Sequence, residues 1–84
     1  MTAVASQILE FLTAELDRSG RPAVVAPDVP LLDSGLLDSV TLMRLIAYLE
    51  ETFAVALPAD QIVPEHFATV DSIAALVDSC RSSA

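Results

Sequence analysis

The sequence predicts an all-α fold: a small four-helix bundle of three main helices and one short helix, with a long first loop. Three observations lead there. Apolar residues recur every three or four positions in three separate stretches, no apolar–polar alternation outlasts three or four residues, and the prolines fall between the periodic stretches. At 84 residues, 54% of them hydrophobic, and a mean hydropathy of +0.59, the chain is too apolar to be disordered and too short for a second core. Residues 1–84 are therefore expected to form a single domain.

The first helix is expected from about Thr2 to Ser19, where Val4, Ile8, Leu9, Leu12 and Leu16 make the apolar stripe and Gln7, Glu10, Glu15 and Asp17 occupy other faces. Gly20 supplies the stop, and Pro22 prevents continuation. Residues 21–38 hold Pro22, Pro27, Pro30 and Gly35, a spacing through which no helix persists. This loop also carries Val24, Val25, Val29, Leu31, Leu32, Leu36 and Leu37, and so it should fold back onto the core. The second helix runs from Ser39 to about Phe53, burying Leu42, Leu45, Ile46, Leu49 and Phe53. Glu50 and Glu51 stand late in it, where the helix dipole disfavours them. After a connection over 54–61, Val63–Phe67 reads as one short helical turn with Pro64 at its first position. The last helix spans about Val70–Arg81, with Thr69 as N-cap, Asp71 in the first turn and Ile73, Leu76, Val77 and Cys80 facing the core.

Charge excludes several functions. Twelve acidic residues against four arginines, with no lysine, give a net charge of −8. Phosphate backbones and anionic membranes would be repelled, and a basic protein surface would be attracted. The N-terminal segment has no basic region and its apolar run is broken by acids, so it is not expected to be a signal peptide, and no run reaches membrane-spanning length. A single cysteine, Cys80, permits no intrachain disulfide and fits a cytoplasmic location. Cys80 falls on an apolar face and reads as a core residue. His66, the one histidine, lies in no nucleophile-elbow context, and neither zinc nor calcium spacing occurs. No catalytic residues are expected, and the chain does not read as an enzyme.

A near-repeat draws attention: Leu31-Leu32-Asp33-Ser34-Gly35, then Leu36-Leu37-Asp38-Ser39-Val40. Ser34 is followed by more loop, Ser39 by an unbroken helical pattern. Ser39 therefore sits at or just inside a helix N-terminus, where free N–H groups and the positive end of the dipole favour an attached phosphate. Asp and Ser are also ordinary helix-starting residues, and the dipeptide alone does no more than that.

The wider stretch from Asp33 to Val40, followed by Leu42, Leu45, Leu49-Glu50-Glu51 and Phe53, resembles the signature of acyl carrier proteins, the phosphopantetheine-binding carrier family. Residues 62–70 resemble that family's third-helix segment, and the likeness covers about residues 30–77. The resemblance implies that Ser39 accepts covalent 4′-phosphopantetheine from coenzyme A through a phosphopantetheinyl transferase, with Asp38 as its motif neighbour. It implies a non-catalytic role: an acyl or aminoacyl group is held as a thioester on the arm and passed between partners. Those partners would be a loading ligase and an acyltransferase or synthase. The exposed face of the second helix, Val40, Met43, Arg44, Ala47 and Glu51, would dock them, with the carrier a monomer.

Two departures refine this. Val40 replaces the family's usual Leu or Met after the serine. Arg44 places a cation where carriers of fatty-acid synthesis typically have an acid. The Gly-Leu-Leu-Asp-Ser wording looks more like discrete D-alanyl and other aminoacyl carriers, which points to polyketide, nonribosomal or other antibiotic biosynthesis. A carrier of primary fatty-acid synthesis stays open. So do a small acidic inhibitor of immunity type and an unmodified helical adaptor, neither of which needs Asp-Ser at a helix start.

Overall fold

The computed structural model describes residues 3–18, 20, 26–33, 35 and 37–82. Three helices build it: α1 (Ala3–Arg18), α2 (Ser39–Phe53) and α3 (Val70–Ser82), with a 3₁₀ turn at Ala59–Gln61. Among the described residues there is no strand, and no helix is long and apolar enough to cross a membrane. The expected all-α bundle is the one found. The expectations for Thr2, Ser19, Pro22, Val24, Val25, Ser34 and Leu36 lie outside the described residues.

One apolar cluster holds the helices together. Ile8, Leu12 and Leu16 come from α1, Leu45 and Leu49 from α2, and Val70, Ile73 and Val77 from α3; Leu31 and Phe67 fill the space between, and all ten are buried. Burial of such side chains contributes about 1.5–3 kcal/mol each before the entropy of ordering them is set against it. Leu9, Leu42, Ile46 and Phe53, expected in the buried stripes, are partly buried against the cluster, and three further positions differ from the pattern. Glu15 and Thr41, polar residues, are buried, while Cys80 is half-buried at the core's edge.

The first loop folds back as its apolar content predicts. Leu31 and Leu37 are buried, and the backbone ties them down: the Leu31 N–H donates to the Ala68 carbonyl at 2.7 Å, the Asp71 N–H to Pro27 at 3.1 Å, and the Leu37 N–H to Leu31 at 3.1 Å. Gly35 turns the chain at φ +75°, a conformation that side chains strain. Leu37 is thus an anchor directly before Asp38 and Ser39.

The short helix lies earlier than expected. Residues 63–67 form hydrogen-bonded turns, His66 N–H to Val63 at 3.1 Å and Phe67 N–H to Pro64 at 3.2 Å, and the helical piece is the 3₁₀ turn at 59–61. The turns go no further than Phe67, which is buried in the core, because the Ala68 carbonyl accepts the Leu31 N–H rather than a helical one. Thr69 then caps α3 as predicted, in a reciprocal pair: Ser72 N–H donates to Thr69 Oγ1 at 3.1 Å and Thr69 N–H to Ser72 Oγ at 3.0 Å. Glu50, disfavoured by the dipole, has a structural task. Its Oε2 accepts the Leu57 N–H at 3.1 Å and closes the reversal after α2.

Candidate functional site

The start of α2 is built from three residues in sequence. Leu37 is buried, Asp38 is the N-cap, and Ser39 is the first helical residue, exposed to solvent. Asp38 has extended backbone angles (φ −98°, ψ 179°), and its Oδ1 accepts the Thr41 N–H at 2.8 Å. The Asp38 carbonyl accepts the Leu42 N–H at 2.8 Å, which begins the α-helical ladder. The N–H groups of Ser39 and Val40 come before Leu42, the first with an intrahelical acceptor, and lie at the positive end of the helix. An exposed hydroxyl in this place can carry an anionic substituent at little electrostatic cost.

The residues expected to dock partners share one exposed face. Val40, Met43, Arg44, Ala47 and Glu51 are all solvent-exposed, and Val40 (64%) and Met43 (70%) are the large apolar side chains that the described surface leaves open. Arg44 has a partner that the sequence did not suggest. Its Nη1 lies 3.6 Å from Oε2 of Glu15, whose Oε1 is 3.4 Å from Nη1 of Arg18. The i, i+3 relation of Glu15 and Arg18 could be read from spacing, but the pairing across α1 and α2 could not. These residues, with Asp38, Val40 and Thr41, line a recess of about 280 Å³ between the end of α1 and the start of α2. On the other flank of α2, Leu32, Leu42, Ile62, Val63, Pro64 and Phe67 line an apolar recess of about 210 Å³.

His66 packs against the turn before α3. Its Nδ1 is 2.7 Å from the Gln61 carbonyl, which secures the turn before α3. Among the described residues no group of three His, Cys, Asp or Glu side chains is placed to hold a metal ion.

An open helix start with a serine hydroxyl on the surface has the geometry to hold an attached anionic group. The comparisons with known proteins agree. Residues 6–77 match the family described as "Phosphopantetheine attachment site". Aminoacyl carrier protein 1 of Bradyrhizobium diazoefficiens is 29% identical over 76 residues, which is 90% of this chain and 83% of that protein. A solved structure called "Crystal structure of FAD-dependent dehydrogenase" contains a chain with a TM-score of 0.73 and 32% identity, matched over 83% of this chain and 97% of that one.

The chain belongs to the phosphopantetheine attachment family of acyl and aminoacyl carrier proteins. Its cofactor is covalently attached 4′-phosphopantetheine, whose terminal thiol supplies the thioester linkage. It is a carrier and not an enzyme, and carriers of this family work with phosphopantetheinyl transferases and with ligases or synthases.

Proposed function

We propose that Ser39 is the residue that takes the phosphopantetheine arm, that Asp38 fixes it at the helix start, and that the cargo is an amino acid or related acyl unit. The observation that carries this is the exposure of Ser39 as the first residue of α2, directly after an aspartate N-cap, in a chain of the carrier family. The likeness to an aminoacyl carrier supports the aminoacyl cargo over a fatty acyl one. Arg44 supports it too, because it removes the continuous acidic face expected of a fatty-acid carrier. The cell compartment in this reading is the cytoplasm, and the setting is polyketide or nonribosomal biosynthesis. A ligase loads the arm and a synthase or acyltransferase unloads it. The exposed face of Val40, Met43, Arg44, Ala47 and Glu51 is where those partners meet the carrier.

The test is intact-mass measurement after incubation with coenzyme A and a promiscuous phosphopantetheinyl transferase. The wild-type chain is expected to gain one phosphopantetheine, Ser34→Ala to gain it equally, and Ser39→Ala to gain nothing. A folded wild-type sample with no mass gain, or modification that persists in Ser39→Ala, ends the reading.

A further inference from the structure

We infer that the seam between the end of α1 and the start of α2 is the docking surface for an acidic, partly apolar patch on a loading ligase, with Arg18 and Arg44 as its two cationic contacts. This extends the proposed docking face onto α1 and rests on the assignment of Ser39.

The charge distribution is the first argument. The chain is strongly acidic, yet between Ser39 and Leu49 Arg44 is the one charged residue, and the carboxylates of α2, Glu50 and Glu51, come in its last turn. On the adjoining helix, α1 ends with Arg18. A partner that addresses Ser39 from this side meets two arginines, with Glu15 buried between them and Asp38 bordering the same recess.

The second argument is how the arginines are held. Glu15 is a buried carboxylate, its side chain 10% exposed, and a buried charge must be compensated. Arg18 and Arg44 both approach it, each through one terminal nitrogen, while their side chains stay 67% and 55% exposed. So exposed an ion pair adds little stability. What the arrangement does is restrain two long side chains from different helices to one place before any partner arrives. That lowers the entropy lost on binding. A guanidinium has five N–H donors in a planar fork, and more than half of each side chain still faces solvent, so each can take a partner's carboxylate.

The third argument is the neighbourhood. The recess of about 280 Å³ is bounded by Asp38 and Val40, the residues on either side of Ser39, so a side chain that enters it lies beside the proposed attachment point. Val40 and Met43 supply exposed apolar area on the same helix. Asp38, its Oδ1 bonded to the Thr41 N–H, brings the opposite polarity to the same recess. That asymmetry gives a partner one orientation: acids over the arginines, away from Asp38.

The experiment uses the holo chain, its arm verified by mass, and the amino-acid ligase that forms a thioester on it. Arg18→Glu and Arg44→Glu are each expected to raise the ligase's KM for the carrier roughly tenfold, and the double variant about a hundredfold, with kcat within about twofold. Arg18→Ala and Arg44→Ala, milder for folding, should raise KM in the same direction by a smaller factor, and circular dichroism checks each fold. Restoration of Arg44→Glu by an acid-to-lysine change on the ligase would secure the contact. If the arm attaches normally and no arginine variant moves KM by more than about twofold, the inference is overturned while Ser39 stands. If the wild-type chain takes up no arm, both fall together.

Discussion

The Asp38–Ser39 start of α2 and its Phe53–Leu57 end are both reversals of the chain, finished with different chemistry. At the start, Asp38 caps the helix by accepting the Thr41 N–H, and the surface beyond it stays open: Ser39, Val40 and Met43 face solvent. At the end, the helix closes against its surroundings. Ala54 adopts a left-handed conformation (φ 54°, ψ 45°), Glu50 accepts the Leu57 N–H, and Leu57 is buried. Tyr48 stacks on Phe11 of α1 at a centroid distance of 4.3 Å and meets Phe53 edge-on at 6.3 Å. One helix therefore has an end that is fastened and an end that presents. A carrier needs both, since the group it displays must be reachable and the platform under it must not move.

The comparison breaks most severely if its shared middle is weakened. Leu49 is fully buried on α2, one turn before the closed end. Leu49→Ala should cost about 2–5 kcal/mol, a large share of a small domain's stability, measured as a lower urea midpoint. A loss under about 1 kcal/mol would mean that α2 is not held by this packing. The next effect belongs to the open end. Asp38→Ala removes the cap and should cost about 1 kcal/mol, while Asp38→Asn, which can still accept the Thr41 N–H, should retain most of it. Equal losses in the two variants would show that charge at the helix start, not the cap bond, is what stabilises.

Much of the fold and of the site is legible in the sequence because it depends on local chemistry. The periods of α1, α2 and α3, the stop at Gly20, the Thr69 cap and the Asp38–Ser39 start each come from residues within one turn of each other. The features that escape depend on residues far apart in sequence. Glu15 reads as a solvent-facing acid until Arg44 arrives from another helix. Glu50 reads as misplaced until Leu57, seven residues on, needs an acceptor. Pro64 favours a short helix at 63–67, and no local rule says that Phe67 will be drawn into the core and Ala68 bonded to the first loop. Tyr48 and Phe11, separated along the chain, give no periodic sign of their stacking.

The smallest effect tests the fastened end, and its sign is the informative part. Ala54 is the described non-glycine residue with positive φ, in the region where an L side chain crowds the following carbonyl at a cost of roughly 1–2 kcal/mol. Helices commonly end on glycine for this reason. Ala54→Gly removes the crowding but also makes the unfolded chain freer, which takes back part of the gain. The net expectation is a stabilisation of about 0.5–1 kcal/mol, read as a rise in melting temperature of roughly 2–8 °C for a domain of this size. Phosphopantetheine uptake, proposed for Ser39, should be unaffected, because the substitution lies at the opposite end of α2. If Ala54→Gly instead lowers the melting temperature, the left-handed turn is not the closing device at this end, and the contrast between the two ends of α2 loses its structural half.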